Sequence, residues 1–151
     1  MHIAVETLVE APPDVVFATA IDFSNWPRFI SGIQSVEVPA PGPATVGCVF
    51  RETRTMFGKQ ATEEMTVAHM QAPSRLQLTA CNHGTVYLVD HVFAADAGGT
   101  HMTLVFSGRP TTLVARILAP VGWLFRGAVK RQLGADLADL KREAERRHQG
   151  A

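Results

Sequence analysis

The sequence predicts an α+β fold in which a curved antiparallel sheet of about seven strands wraps around one long C-terminal helix. Three observations predict it. Strand-like segments separated by short turns fill most of the chain up to residue 107, two short helices interrupt them after the first strand, and a helical pattern occupies residues 112–147. The chain of 151 residues fits a single domain over residues 1–151.

Composition narrows the classes of function. Lys plus Arg number 14 and Asp plus Glu number 14, so net charge indicates no nucleic-acid partner. Cys48 and Cys81 have no metal-ligand spacing, the histidines show none either, and we expect neither a metal nor a cofactor. The amino terminus alternates in polarity and carries Glu6 and Glu10, which is not typical of a signal peptide, so we expect a cytoplasmic protein. No pattern indicates an oligomeric state.

The segment "HIAVETLVE" alternates as a strand does. Two short helices are predicted in the stretch that follows, "APPDVVFATAIDFSNWPRFI". Pro12 and Pro13 suit the first turn of one helix, and Pro27 suits the first turn of the next. Trp26 and Phe29 should brace the sharp bend between them, so this stretch is expected to form a floor beneath the sheet.

The remaining strands and the final helix follow from turns and periodicity. Strands are predicted at 33–38, 46–55, 60–69, 75–82, 85–94 and 100–107, separated by "PAPGPATVG", "FGK", "QAPS", "NHG" and "ADAGG". In the helix, Leu133, Leu137, Leu140 and Ala144 share one stripe. Pro120 and Gly122 should kink its first third.

Antiparallel pairing through these turns decides which face of the sheet is covered. We expect residue 55 to face 60, 70 to face 75, 82 to face 85 and 93 to face 102, because register fixes faces. This pairing places most of the apolar side chains on one face of the sheet, which we expect to be the covered face. The same face also carries six polar side chains: Glu52, Arg54, Glu63, Asn82, Tyr87 and His91. A dry core would not accommodate them unpaired, so we expect a hollow between the sheet and the helix.

These polar side chains are expected to cluster at one end of the hollow. The register places Glu52 opposite Glu63 and Glu63 opposite Asn82, with Arg54 one diagonal away and able to bridge both acids. The turns "FGK" and "NHG" lie at this end, which we interpret as a mouth, with Tyr87 and His91 progressively deeper.

Four segments together resemble the START-like, or SRPBCC, superfamily, in its polyketide cyclase/dehydrase and lipid transport group. They are "LVEAPPDVVFATAIDFSNWPRF", "TVAHMQAPSRLQL", "HVFAADAGGTHMTL" and "LADLKREAER", and the resemblance covers almost the whole chain. It implies a helix-grip fold, whose members include aromatase/cyclases, hormone receptors and lipid and quinone carriers. These motifs specify the fold rather than the chemistry, and the Cys/His pattern of the Rieske oxygenases is absent.

The expected function is binding, or transport, of a small hydrophobic molecule such as a lipid, quinone or polyketide-like aromatic. Polar anchors would be the six side chains named above, within apolar walls. The wall residues are expected to be Trp26, Phe29, Phe50, Met65, Leu78, Val89, Leu104, Phe106, Ile117, Val121 and Leu124. The alternative is a cofactor-independent cyclase or dehydratase, with Glu63, His91, Glu52, Arg54 and Tyr87 as catalytic candidates.

The apolar window "LVARILAPVGWLFRGAV" allows one further partner. It is too short to span a bilayer comfortably, and we expect Trp123, Leu124 and Phe125 to pack in the core. The alternative is an exposed apolar lip that contacts a membrane, with lipid headgroups meeting the surrounding cations, which are Arg116, Arg126, Lys130 and Arg131.

Overall fold

The computed structural model of the protein describes residues 1–39, 42–56 and 58–150. Seven strands and four helices occur in this part of the chain. They are β1 (His2–Val9), α1 (Pro13–Ala20), α2 (Trp26–Phe29), β2 (Ile33–Glu37), β3 (Val49–Met56), β4 (Lys59–Gln71), β5 (Arg75–Asn82), β6 (Thr85–Asp96), β7 (Gly99–Pro110), α3 (Leu113–Trp123) and α4 (Arg126–Gln149). Residues 40 and 41 of the predicted "PAPGPATVG" loop, and the Phe of "FGK", lie outside the described residues.

All seven strands form one antiparallel sheet in the order β1-β7-β6-β5-β4-β3-β2. The sheet curves around α4, whose 24 residues make it the longest helix in the described part of the chain. The predicted α+β helix-grip fold is therefore confirmed, including the two short helices after β1.

Three of the four predicted registers are those of the structure. Residue 55 faces 60, 82 faces 85 and 93 faces 102. The prediction that 70 faces 75 is wrong, because a bulge between Val67 and His69 shifts the pairing so that Gln71 faces Arg75. The predicted inner residues of β4, which end at Val67, all precede the bulge, so the predicted inner face is retained.

The bend after α1 is built as a short 3₁₀ turn, Phe23–Asn25, leading into α2. The Trp26 indole N–H donates to the carbonyl oxygen of Ala20 at 3.2 Å, and its ring packs edge-on against Phe23 and Phe50. Trp26 thus braces the bend as predicted, because burying an aromatic ring with its N–H satisfied fixes both ends of the turn.

One half of the space between sheet and helix is solid core. The later part of the predicted stripe of α4, from Leu137 to Ala144, is buried there against the sheet and α1, together with Phe17, Phe50, Leu76, Phe93 and Met102. Asp139 fastens α4 to the floor, since its Oδ2 accepts from the backbone N–H and hydroxyl of Ser31 at 2.9 and 3.0 Å. The space at the other end, towards α3, is left open.

The helical pattern after residue 112 is broken in two, as Pro120 and Gly122 predict, and α3 and α4 are separated by Leu124 and Phe125. Our expectation that Trp123, Leu124 and Phe125 pack in the core is wrong. Their exposed fractions are 61%, 74% and 49%. Among the described residues, no helix combines the length and the apolar character needed to cross a bilayer.

Candidate functional site

A cavity of about 380 Å³ lies between the concave face of the sheet, α2 and the first half of α4. Most residues predicted to surround a ligand line it. They are Trp26, Glu52, Arg54, Glu63, Met65, Leu78, Asn82, Tyr87, Val89, His91, Leu104 and Phe106. The cavity reaches the surface at the junction of α3 and α4, where half-exposed Phe125 and Gly122 contribute to its wall.

Two aromatic residues expected in the wall lie elsewhere. Phe50 is fully buried behind the cavity, and its ring stacks on that of Phe23 with centroids 4.2 Å apart. Phe29 lies beneath the guanidinium of Arg147, 5.4 Å from its ring centroid. Both residues stabilise the floor from outside, so their prediction as wall residues is corrected.

The predicted helical wall is also corrected. Ile117, Val121 and Leu124 point to solvent with exposed fractions of 67%, 51% and 74%. The helical side of the cavity is formed instead by Gly122, Phe125, Val129, Gln132, Leu133, Asp136 and Leu140. The reason is the break between α3 and α4, after which α4 alone continues along the sheet.

A buried charge cluster forms the polar end of the cavity. Arg54 Nε donates to Glu52 Oε1 at 2.8 Å, and its Nη1 donates to Asp136 Oδ2 at 3.1 Å. Glu63 lies opposite Glu52 on the neighbouring strand, but its Oε1 accepts from Asn82 Nδ2 at 3.1 Å. The expected bridge from Arg54 to both glutamates is therefore replaced by a bridge from β3 to α4.

Asp136 was absent from the sequence prediction. Burial raises the pKa of its carboxyl to about 6, against the opposing pull of Arg54 and with the help of nearby Glu52. A signal for it existed: position 136 lies three residues after Leu133 and four before Leu140, both on the predicted buried stripe. A charged residue at such a position either pairs or faces a cavity, and Asp136 does both.

His91 lies deep in the wall and is 5% exposed. Its Nδ1 lies 3.2 Å from the carbonyl oxygen of Leu76. A carbonyl can only accept, so Nδ1 carries the proton and Nε2 keeps its lone pair. Burial lowers the pKa of His91 to about 4, which leaves the imidazole neutral at pH 7.

Tyr87 and His91 share the inner face of β6 but do not form a pair. Four residues of strand separate their Cα atoms by about 13 Å. The Tyr87 ring stacks on Phe106 with centroids 5.5 Å apart, nearer the polar end. Among the described residues, no group of three His, Cys, Asp or Glu side chains is arranged to hold a metal ion.

The sequence matches the family model described as polyketide cyclase / dehydrase and lipid transport over residues 1–145. The chain belongs to this family. Comparison with curated proteins yields no match to the sequence.

Several solved structures have the same fold as this chain. The Zhui aromatase/cyclase from Streptomyces sp. R1128 is 20% identical, with a TM-score of 0.73 over 97% of this chain and 94% of that one. Ara h 8.0201 is 17% identical, with a TM-score of 0.74 over 95% and 97%. One structure is longer: the di-domain ARO/CYC BexL is 19% identical, with a TM-score of 0.78 over 96% of this chain and 50% of that one. Likeness at these identities establishes the fold.

Proposed function

We propose that this family member binds a small hydrophobic molecule in the cavity between the sheet and α4. The observation that carries the proposal is the hollow itself: about 380 Å³ of space whose walls are mostly apolar, with a few polar groups that converge at one end. Small-molecule sites have this construction, and their volumes run from about 300 to 1,000 Å³.

The distribution of polarity narrows the class of ligand. The volume lies at the lower end of the usual range, which favours a ring system such as a quinone or polyketide-like aromatic, or one lipid chain, over a lipid with two chains. Arg54 and Asn82 can donate to ligand oxygens at the charged end, while Met65, Leu78 and Leu104 offer only apolar contact. We propose a ligand whose oxygen atoms lie at one end of an apolar body.

The comparisons support the same class. The family description combines polyketide cyclases with lipid transport, and two of the similar structures are named as aromatase/cyclases. Those activities belong to the proteins so named. For this chain they select which compounds to test first: planar polyphenols, quinones and single-chain lipids.

Binding can be tested with a pair of variants on one strand. Val89 faces the cavity between Leu78 and Phe106, whereas Val92 is on the outer face and 37% exposed. A Val89→Phe ring should fill the space and weaken binding of the test compounds about tenfold or more, while Val92→Phe should leave the Kd unchanged.

Trp26 lines the cavity, and its fluorescence provides the titration signal once the exposed second tryptophan is removed by Trp123→Phe. Native mass spectrometry of freshly purified protein would identify any molecule that copurifies. Equal Kd values for the wild type and Val89→Phe would contradict the proposal, because they would place the binding site outside the cavity.

A second function, a cyclase or dehydratase, is favoured by the state of two groups in the wall. With a pKa of about 6, Asp136 is protonated in a fraction on the order of one tenth at pH 7 and can donate that proton to a ligand oxygen. His91 has an unprotonated Nε2 that can accept a hydrogen bond from a substrate hydroxyl, but a pKa of about 4 makes it a weak base at pH 7. In such an enzyme Asp136 would therefore act as the acid, while His91 would orient the substrate.

Kinetics separates the two functions. If the protein is a carrier, Asp136→Asn or His91→Gln should lower its affinity for the ligand only modestly. An enzyme should lose kcat on a polyketide-like substrate far beyond any change in Kd. If the wild-type protein binds the polyketide-like substrate but forms product no faster than the uncatalysed reaction does, the enzyme function is excluded.

A further inference from the structure

Helix α3 exposes its large apolar side chains and is buried only at a small residue. Ala115 is the one residue of this fully described helix that is buried, and Gly122, seven positions later on the same side, lines the cavity. The exposed large side chains are Leu113, Val114, Ile117, Leu118, Val121 and Trp123, between 51% and 73% exposed, followed by Leu124 and Phe125. Proteins rarely leave this many large apolar side chains exposed on one helix, so this surface points to a partner.

The segment of the chain that contains this helix carries charge of a single sign. Between Asp96 and Asp136 the sequence has no acidic residue, while it has five cations: Arg109, Arg116, Arg126, Lys130 and Arg131. All five are exposed. Because the net charge of the chain is zero, this segment carries a net positive charge and the rest of the chain carries a net negative charge. A partner of negative charge is therefore favoured.

The helix is fixed to the body at its start. The backbone N–H and hydroxyl of Thr111 both donate to the carbonyl oxygen of Gly84, at 2.7 and 2.8 Å. Thr112 caps the first turn by accepting from the N–H of Ala115 at 3.1 Å. Gly84 has a φ of +73°, and a Cβ there would lie 2.5 Å from Thr112 Oγ1, so the turn between β5 and β6 fits closely against the entry to α3.

We propose that α3 and the first turn of α4 dock onto the surface of an anionic phospholipid bilayer. The large apolar side chains would enter the headgroup and acyl boundary, with Trp123 at the interface, and the flanking Arg and Lys side chains would contact lipid phosphates. A second copy of the chain is a poorer fit, because pairing two α3 surfaces would bring ten cations together without an acid between them.

Docking would place the open end of the cavity at the bilayer. Gly122 and Phe125, which contribute to the cavity wall, lie within the proposed contact region. An apolar molecule could then pass between lipid and protein with little exposure to water. The docking surface itself does not depend on what the cavity binds, and its test needs no ligand.

The test is cosedimentation of the full chain with phosphatidylcholine vesicles, with and without phosphatidylglycerol. We expect binding that requires phosphatidylglycerol and weakens with added salt. Ile117→Gln with Leu124→Gln should reduce the partition coefficient about tenfold or more, because each side chain loses its insertion into the boundary. Neither residue lines the cavity, and both are exposed, so the fold should be retained.

A charge variant gives an independent measure. Arg116→Gln with Arg131→Gln should also reduce the partition coefficient about tenfold or more, since each cation near an anionic surface contributes on the order of 1 kcal/mol. Two control variants remove equal numbers of side chains elsewhere. They are Leu8→Gln with Val46→Gln, both 60% exposed, and Arg28→Gln with Arg51→Gln.

Three results would overturn the proposal. In the first, the wild-type protein fails to sediment with phosphatidylglycerol vesicles. In the second, the control variants lose as much binding as the α3 variants. In the third, vesicles have no effect, and sedimentation equilibrium shows that the wild type self-associates whereas Ile117→Gln with Leu124→Gln is monomeric. The last would assign the surface to a second copy.

Discussion

Replacing His91 and replacing Asp136 should change the slope of the free energy of unfolding against pH in opposite directions. The pKa of His91 is lowered by burial from 6.5 to about 4. As pH falls through that window, the unfolded chain takes up a proton that the native state refuses, so the free energy of unfolding falls. The shift corresponds to about 3 kcal/mol, lost in full below the native pKa.

Asp136 has the opposite effect on the free energy of unfolding. Burial raises its pKa from 3.8 to about 6, so the native state takes up a proton before the unfolded chain does. The free energy of unfolding therefore rises by about 3 kcal/mol as pH falls through that window. In the wild type these two contributions nearly cancel, so the wild-type profile alone reveals neither.

Subtraction of the wild-type profile isolates each group, because the other titrations are common to both proteins. We compare the free energy of unfolding of each variant with that of the wild type as pH falls from 6.5 to 4. The difference, variant minus wild type, should rise by about 3 kcal/mol for His91→Gln and fall by about the same amount for Asp136→Asn. Urea unfolding at a series of pH values measures both differences. His69→Gln and Asp14→Asn, at exposed positions, serve as controls.

Variant profiles that run parallel to the wild type would refute this reasoning. They would mean that both groups are solvated in the native state, and that the cavity wall is more open to water than the structure shows. A tilt in the predicted direction for the cavity variants but not for the controls would confirm that burial controls both titrations.

Three stability changes follow from the same contacts, each measured by urea unfolding. Arg54→Met should cost about 3 to 5 kcal/mol, because buried Glu52 loses its partner, whereas Arg51→Met on the outer face should cost less than about 1 kcal/mol; equal costs would show that the inner pair is solvated. Phe50→Ala should cost about 3 to 5 kcal/mol without changing ligand Kd, since the ring is core and not wall; a large change in Kd would contradict its placement. Thr112→Ala should cost about 1 kcal/mol through loss of the α3 cap, and an unchanged stability would show that α3 is frayed there.

The strands were predictable because their turns are explicit in the sequence. Register follows from the turn residues, and alternation then assigns Met65, Leu78 and Val89 to the inner face without any knowledge of the helix. The bulge between Val67 and His69 was missed, although the sequence carries a mark of it: the apolar alternation through Met65 and Val67 resumes at Met70, three residues on instead of two.

The helices were predictable in extent but not in orientation. The stripe ending at Ala144 is amphipathic and so identifies its own buried side. The window of α3 holds many large apolar side chains, which are more often buried than exposed, so core packing of Trp123 and Leu124 was the natural expectation. Asp136 was missed although its spacing from Leu133 and Leu140 places it beside the buried stripe, because a carboxylate on a long charged helix is typical of the solvated side.

The hollow beneath the sheet is tested most directly by methyl NMR during titration with planar polyphenols and quinones. Ligand entry should shift the methyl signals of residues from four strands and α4 together: Met65, Leu78, Val89, Leu104 and Leu133. Methyls of exposed Leu8 and Val46 should remain unchanged. Cavity signals that stay fixed across the whole compound panel, or shifts confined to surface methyls, would contradict the existence of a binding space between the sheet and α4.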